Sequence, residues 1–343
     1  EAFMEGQTAT ATFSGSRRIA AGAGAGLLAG LVWLWPQFFK QGILFTGQGL
    51  LQVAPLVVPG IALTAWIIAS GADRIIGRAF EGRLMRAVLV ASAMGAITPV
   101  CGVTILPLMA GLLAAGVPLA PVMAFWLSSP ITDPAMLATT AATLGVAFAV
   151  GKTVAAFGLG VFGGSVTAAL TREQSGEAAL RSGGLAAKLT ARCCDGATSF
   201  EPRVWRNSSR RKAFARQAAA TTRLILICLI PAFFAEYALN AALTTGSLAA
   251  YLGSNTWWAI PAAVFVGAPA YIDGYAALPL TRGLIDNGMS PGAAMAFLVS
   301  GGVVSIWGAL AIFPVLKLRP FLLYLALAVT GSLISGYVFE WVY

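Results

Sequence analysis

Residues 95–128, GAITPVCGVTILPLMAGLLAAGVPLAPVMAFWLS, recur without a gap as residues 267–300, GAPAYIDGYAALPLTRGLIDNGMSPGAAMAFLVS. The offset is constant, since 279 − 107 = 172 and 300 − 128 = 172. It pairs Gly95 with Gly267, Gly102 with Gly274, Pro107 with Pro279, Gly111 with Gly283 and Gly116 with Gly288. It also pairs the run Met123-Ala124-Phe125 with Met295-Ala296-Phe297, Ser128 with Ser300 and, further upstream, Pro59 with Pro231. A duplication of this period means that one structural unit has been built twice. In an apolar chain, Gly and Pro interruptions at matching places in two halves mark helices broken at membrane depth, with a binding site between the halves.

The chain is apolar enough for that reading. Charged residues make up 10% and hydrophobic residues 58%, with a mean hydropathy of +0.81. A soluble domain carries roughly 25% charged residues, so this is an integral membrane protein. Apolar stretches near the ~20 residues a bilayer requires lie at 19–39, 50–70, 119–150 (interrupted), 153–170, 218–239, 291–315 (interrupted) and 320–341. Lipid leaves unpaired backbone groups unsatisfied and no alternating ten-residue barrel pattern is present, so the expected class is all-α.

The formal net charge of +9 does not point to nucleic acid, because ten of the Lys and Arg residues fall between Arg172 and Arg216. Clustered in one loop, they read as a cytoplasmic topology signal. The four cysteines, Cys101, Cys193, Cys194 and Cys228, do not form a disulfide framework and suit a reducing compartment. No cleavable signal peptide is evident, and the Glu-Ala-Phe ahead of Met4 reads as an addition to a natural start. With zero histidines, HExxH zinc sites, Ser-His-Asp triads and histidine proton relays are excluded.

Placing the basic loop inside orders the rest. Arg17 and Arg18 inside send the first span outward to Lys40, and the second returns to a loop carrying Arg74, Arg78, Arg83 and Arg86. The pieces 87–98 and 103–115, on either side of TPVCG, each reach about halfway across a ~30 Å core at 1.5 Å per residue. They are expected to form a re-entrant hairpin, since one full span there would push the ten basic residues outside. The second half obeys the same logic upside down, with 257–270 and 275–285 as a hairpin dipping from the outside. Lys40, Lys152 and Arg282 are left outside in this arrangement. The expected fold is thus a polytopic all-α protein of two inverted-topology repeats, each with a re-entrant hairpin and a broken transmembrane helix. The corresponding divisions are a cytoplasmic segment 1–18, a first repeat 19–170, a basic loop 171–216 and a second repeat 217–343.

Four breaks then meet near the midplane: 98–102, 128–134, 271–274 and 300–305. Cys101 sits in the first. A thiol on an unwound turn beside a helix N-terminus can coordinate a thiophilic ion, or it can be a small apolar filler. Asp273 is its counterpart, since 273 − 101 = 172. An acid at that depth serves proton coupling or binds the broken backbone. Asp133, ahead of Pro134, either caps the following half-helix or adds a titratable group. Thr98, Thr104, Ser128, Ser129, Tyr271, Tyr275 and Ser300 offer hydroxyls to a substrate or to freed backbone groups. The vicinal Cys193 and Cys194 can bind a trivalent metalloid but lie in a Gly- and Ser-rich loop, where an incidental pair is the plainer reading. Gly151-Lys152-Thr153 fails as a P-loop because the earlier glycine, Gly145, is one residue too far away.

The stretch TPVCGVTILPLMAGLLAAGVPLAPVMAFWLSSPITDP resembles the signature of the predicted-permease family that includes ArsP, the organoarsenical efflux permeases. The matching positions are Thr98, Pro99 and Cys101, then 107–119, then Ser129, Pro130, Asp133 and Pro134. The resemblance implies an inner-membrane permease, with export of trivalent methylated or aromatic arsenicals as its best-known activity. Many members carry a second cysteine two residues after the first; this chain has Val103 there, and Asp133 where an asparagine is common.

Together these readings predict a secondary transporter in a bacterial inner membrane, multi-pass, with a cytoplasmic N-terminus. It would export a small thiophilic or organic solute by alternating access, with Cys101 and Asp273 facing one another, driven by protons or by the solute's own gradient. The expected substrate-binding residues are Cys101, Thr98, Pro99, Thr104, Ser128, Ser129, Asp133, Tyr271, Asp273, Tyr275 and Ser300. No enzyme activity, cofactor, nucleic acid or resident metal is expected, only a metalloid held at Cys101 as cargo. The partners are the lipid bilayer, a small-molecule substrate and, as an open alternative, a second copy of the chain. The rival class is an intramembrane enzyme or a scaffold that moves nothing, and no catalytic constellation beyond lone carboxylates supports it.

Overall fold

The computed structural model describes residues 35–72, 84–98, 106–114, 116–132, 134–171, 176–181, 200–242, 258–267, 277–304, 309–310 and 312–343. It divides into a unit 1–48, described only for the start of the first helix, and a unit 49–343 that holds everything discussed below. The described elements are α1 (Pro36–Ser70), α2 (Leu84–Ile97), α3 (Leu106–Ala114), α4 (Leu119–Ser128), α5 (Pro134–Leu144), α6 (Val146–Leu170), α7 (Ser208–Ala242), α8 (Ala259–Gly267), α9 (Ala277–Asp286), α10 (Pro291–Val303) and α11 (Leu318–Val342). Two short 3₁₀ turns occupy Gly176–Ala179 and Val204–Arg206.

The chain is an all-helical, multi-pass membrane protein. Among the described residues α6, α11 and the apolar part of α7 are each long and apolar enough to cross a bilayer. The two arms of α1, Pro36–Gln52 and Val57–Ser70, make a fourth such segment bent by 56°. Large side chains such as Leu51, Val90, Val146 and Val154 are exposed, as a lipid-facing surface requires.

The helix limits recur at the spacing of the duplication. Adding 172 to α1 gives 208–242, the limits of α7, and adding it to α6 gives 318–342, the limits of α11. The short helices follow to within three residues at each end: α2 with α8, α3 with α9 and α4 with α10.

Local chemistry explains why the short helices stop where they do. After α3, Gly116 adopts φ +88, and after α9 its counterpart Gly288 adopts φ +98. Gly116 N–H donates to the Leu113 carbonyl and Val117 N–H to Leu112; Gly288 N–H donates to Ile285 and Met289 N–H to Leu284. Both ends are Schellman caps, which need a residue that enters the left-handed region without a Cβ clash. At the start of α10, Ser290 accepts from Ala293 N–H through its side chain, with Pro291 in the first turn.

Helix packing is also shared. A Cβ on Gly95 of α2 would strike Ser128 Oγ and the Phe125 carbonyl of α4, and one on Gly267 of α8 would strike Ser300 Oγ and the Phe297 carbonyl of α10. Gly164 of α6 rests on Val88 and Ala124, and Gly336 of α11 rests on the counterparts Ile260 and Ala296. Small residues that let helix backbones approach are the usual means of association where lipid is as apolar as the side chains.

Three expectations need correction. Residues 40–49, read as an external loop around Lys40, are helical within α1, and the bend falls further on, at 53–56, where Pro55 removes a hydrogen bond. The loop 171–216 ends early, because 208–216 already form the first turns of α7. The turn between the apolar stretches expected at 119–150 and 153–170 is at Gly145 (φ +99), not around 151–152, so α6 begins at Val146. Lys152, placed outside by charge counting, is therefore within α6 and only 3% exposed.

Candidate functional site

The central question is where the interruptions lie relative to one another. α4 ends at Ser128 and α5 starts at Pro134, whereas α10 ends at Val303. A Cβ on Gly302 would lie 2.9 Å from the Pro130 carbonyl oxygen and 3.7 Å from Ile131 Cα. Pro130 and Gly302 are counterparts, since 302 − 130 = 172. The break after α4 and the end of α10 therefore meet at the same position of each copy.

A second such meeting lies between α6 and α11. A Cβ on Gly331 would be 2.5 Å from Leu159 Cδ1, and 331 − 159 = 172. Around it Gly151 faces Phe339 and Gly163 faces Leu327. The residue sums 151 + 339, 159 + 331 and 163 + 327 all equal 490, so the two counterpart helices run antiparallel. At one end of this pair Phe148 packs on Phe339 and Tyr343, with ring centroids 4.8 and 5.5 Å apart. Glu340 accepts there from Gly292 N–H. At the other end Arg181 N–H donates to the Val315 carbonyl and Lys317 N–H to Ala179. Arg181 also lies 4.3 Å above the Phe313 ring.

The basic segment is anchored to α1 as well. Arg210 is 4% exposed and donates to the carbonyls of Ala69 (3.1 Å) and Ser70 (2.8 Å), with Glu201 3.4 Å away. It closes the C-terminal carbonyls that every helix leaves open.

Of the expected site residues, Pro99, Cys101, Thr104, Asp133, Tyr271, Asp273 and Tyr275 lie outside the described residues, as do Cys193 and Cys194. The others are located. Thr98 Oγ1 donates to the Met94 carbonyl at the end of α2. Ser128 Oγ donates to Ala124 (2.9 Å) and Phe125 (3.1 Å), and Ser300 Oγ to Phe297 (3.2 Å). Both serines are fully buried against a counterpart glycine, so their hydroxyls serve the α2–α4 and α8–α10 contacts in the same way. Ser129 is 3% exposed within the first break, its N–H bonded to the Phe125 carbonyl. Among the described residues no group of three His, Cys, Asp or Glu side chains stands close enough to hold a metal ion.

Residues not expected from the sequence also line the breaks. Thr132 Oγ1 donates to the Ala96 carbonyl at 2.8 Å, tying the first break to the end of α2. Tyr324 of α11 is buried and donates to the Val303 carbonyl at 2.6 Å, where α10 stops. Its counterpart is Lys152 of α6, since 324 − 152 = 172, and Lys152 Nζ lies 3.0 Å from Met136 Sδ in the first turn of α5. One broken helix is thus met by a buried phenol and the other by a buried lysine amine. Trp126 of α4 packs on Tyr324 with ring centroids 5.6 Å apart. The signal for Lys152 was present in the duplication, because the start of α11 after Lys317 marks the start of α6 after Gly145.

Comparison with known proteins agrees with a membrane permease. The family described as "Predicted permease", ArsP, matches residues 39–341. A UPF0718 protein of Methanocaldococcus jannaschii is 31% identical over 136 residues, a match covering 40% of this chain and 37% of that protein. The match therefore spans little more than a third of that relative's length. No solved structure matches.

Proposed function

Because the chain belongs to the ArsP family of predicted permeases, we propose that it is a secondary transporter exporting a small thiophilic or organic solute by alternating access. The observation that carries this reading is the pair of self-meetings, Pro130 with Gly302 and Leu159 with Gly331. Two copies of one unit that touch at their own equivalent residues, with counterpart helices antiparallel, are the arrangement of inverted repeats about an axis in the membrane plane. The axis passes through the broken helices, where transporters of this build bind cargo.

In this reading α2–α3 and α8–α9 are re-entrant hairpins. α2 has 14 residues and α3 has 9, so they extend about 21 and 14 Å, short of a ~30 Å core. The hairpin tips carry Cys101 in the first copy and Asp273 in the second. Cys101 holds the thiophilic centre of the cargo and Asp273 carries the coupling proton. Trivalent organoarsenicals are the first cargo to test, with one thiolate rather than two as ligand. Asp133, Tyr271, Tyr275 and Thr104 complete the polar lining, and Lys152 sets its charge. The basic ends of the bundle face the cytoplasm of a bacterial inner membrane.

The test is transport by the purified protein in sealed vesicles. Wild type is expected to move methyl- or phenylarsonous acid, Cys101→Ser to lose at least tenfold in rate, and Asp273→Asn to lose the dependence on a pH gradient. Unchanged uptake and pH dependence in both variants would falsify the assignment of the site. A protein that moves nothing while its basic loop captures a stable partner would support the scaffold alternative.

A further inference from the structure

Within the axis region the two copies treat most polar groups alike, and the exceptions are informative. Ser128 and Ser300 both donate to their own helix and pack on a counterpart glycine. Such groups belong to the scaffold. Trp126 does not fit that pattern. Its counterpart is Leu298, since 298 − 126 = 172, so the helix packing that α4 shares with α10 is met by an aliphatic side chain. Trp126 is 1% exposed, and its indole Nε1 has no hydrogen-bond partner among the described residues. A buried tryptophan N–H normally finds an acceptor, and an orphan donor calls for an explanation beyond packing.

Its surroundings supply one. Trp126 lies four residues before Pro130, whose carbonyl meets Gly302 at the crossing of the broken helices. Its ring packs on Tyr324 at 5.6 Å and an interplanar angle of 42°. The Tyr324 hydroxyl donates its proton to the Val303 carbonyl, and its oxygen does not accept from the indole. We infer that Trp126 is a cargo-binding residue: its N–H donates to an acceptor atom of the solute while the Trp126–Tyr324 pair packs against the solute's flat apolar part. The class of ligand is a small neutral solute that combines an oxygen acceptor with an aromatic or methyl group. The donor becomes available when the broken helices part, which places binding on the path of the alternating motion. This inference rests on the transporter reading.

The variants separate a donor from a packing residue. Trp126→Phe keeps an aromatic ring and removes the N–H together with the five-membered half of the indole; Trp126→Leu installs the residue of the other copy. The probes are phenylarsonous acid and methylarsonous acid, and the readouts are thermal unfolding of detergent-solubilised protein with and without probe, and uptake into vesicles. Trp126→Phe is expected to unfold somewhat earlier than wild type without probe, through the small cavity left by the lost half of the ring and not through a lost hydrogen bond. Its half-saturation for both probes is expected to rise about fivefold, the effect of one neutral hydrogen bond. Trp126→Leu is expected to lose the preference for the phenyl over the methyl compound as well. If wild type is stabilised by the probes and Trp126→Phe responds at the same concentrations, the inference is overturned while the transporter reading stands. If wild type neither binds nor moves either probe, the organoarsenical reading falls and this inference falls with it.

Discussion

Leu159 of α6 rests on Gly331 of α11, so a residue and its counterpart in the second copy are direct neighbours. A Cβ on Gly331 would come within 2.5 Å of Leu159 Cδ1 and 2.8 Å of Cγ, which leaves no room for alanine unless Leu159 turns away. Gly331→Ala is expected to destabilise by about 1–3 kcal/mol through overpacking. Leu159→Ala alone should cost about 2–5 kcal/mol through its cavity. The double variant should cost clearly less than the sum, because the added methyl enters the vacated space. Thermal unfolding in detergent measures all three, and strict additivity would mean that the two helices do not cross here.

Within the helices, the shared glycines Gly95 and Gly267 differ physically from the shared pair Gly111 and Gly283. Gly95 and Gly267 lie against the backbone carbonyls of Phe125 and Phe297, with a Cβ 2.8 Å from the oxygen in each case. Backbone cannot turn aside, so Gly95→Ala and Gly267→Ala should each destabilise by about 1–3 kcal/mol. Gly111 and Gly283 have nothing within 4 Å of a Cβ, so alanine there should be neutral or stabilise its helix by about 0.5–1 kcal/mol. Comparable melting temperatures for all four variants would contradict the packing.

This division marks what the sequence made legible. The short half-helices were readable because Gly and Pro act locally; the Schellman turns at Gly116 and Gly288 were not read, although the same residue stands at both places. Residues 40–49 were misread because three glycines and Lys40 suggest a loop, yet α1 runs through them and bends only near Pro55. Lys152 was misread because charge counting places every cation at a membrane surface. Its burial depends on the turn at Gly145 and the packing of α5 on α6. The meetings of Pro130 with Gly302 and of Trp126 with Tyr324 depend on how separate helices cross, which no local pattern records.

Lys152 and Tyr324 occupy equivalent positions but should fail in different ways. Tyr324→Phe leaves the Val303 carbonyl without its donor but keeps the ring against Trp126, which should cost about 1–3 kcal/mol of stability and lower transport per folded molecule far less than the lysine change does. Lys152→Met removes a buried cation from a spanning helix, a type of residue that is costly at that depth and retained for function. It should reduce transport at least tenfold with little loss of folded protein, and Lys152→Arg should not restore it, because the guanidinium is larger and planar. Measuring melting temperature beside vesicle uptake separates the two; a Lys152→Met protein that transports normally would reduce the lysine to a packing role.

The antiparallel crossing of α6 and α11 also dictates which surfaces can be reached from one side of the membrane. Phe148, Phe339 and Tyr343 gather at one end, and Arg181, Val315 and Lys317 at the other. The positive residues of the second group make it the expected cytoplasmic side. In a variant with its cysteines replaced, single cysteines at Val146 and Tyr343, both exposed, should react with an impermeant maleimide added outside intact cells. Single cysteines at Lys317 and Leu318 should react only after the membrane is opened. Labelling of 146 and 343 from opposite sides would break the antiparallel pairing of α6 with α11. Labelling of both groups in the reversed sense would leave the fold intact and invert the protein in its membrane, with the basic segment outside.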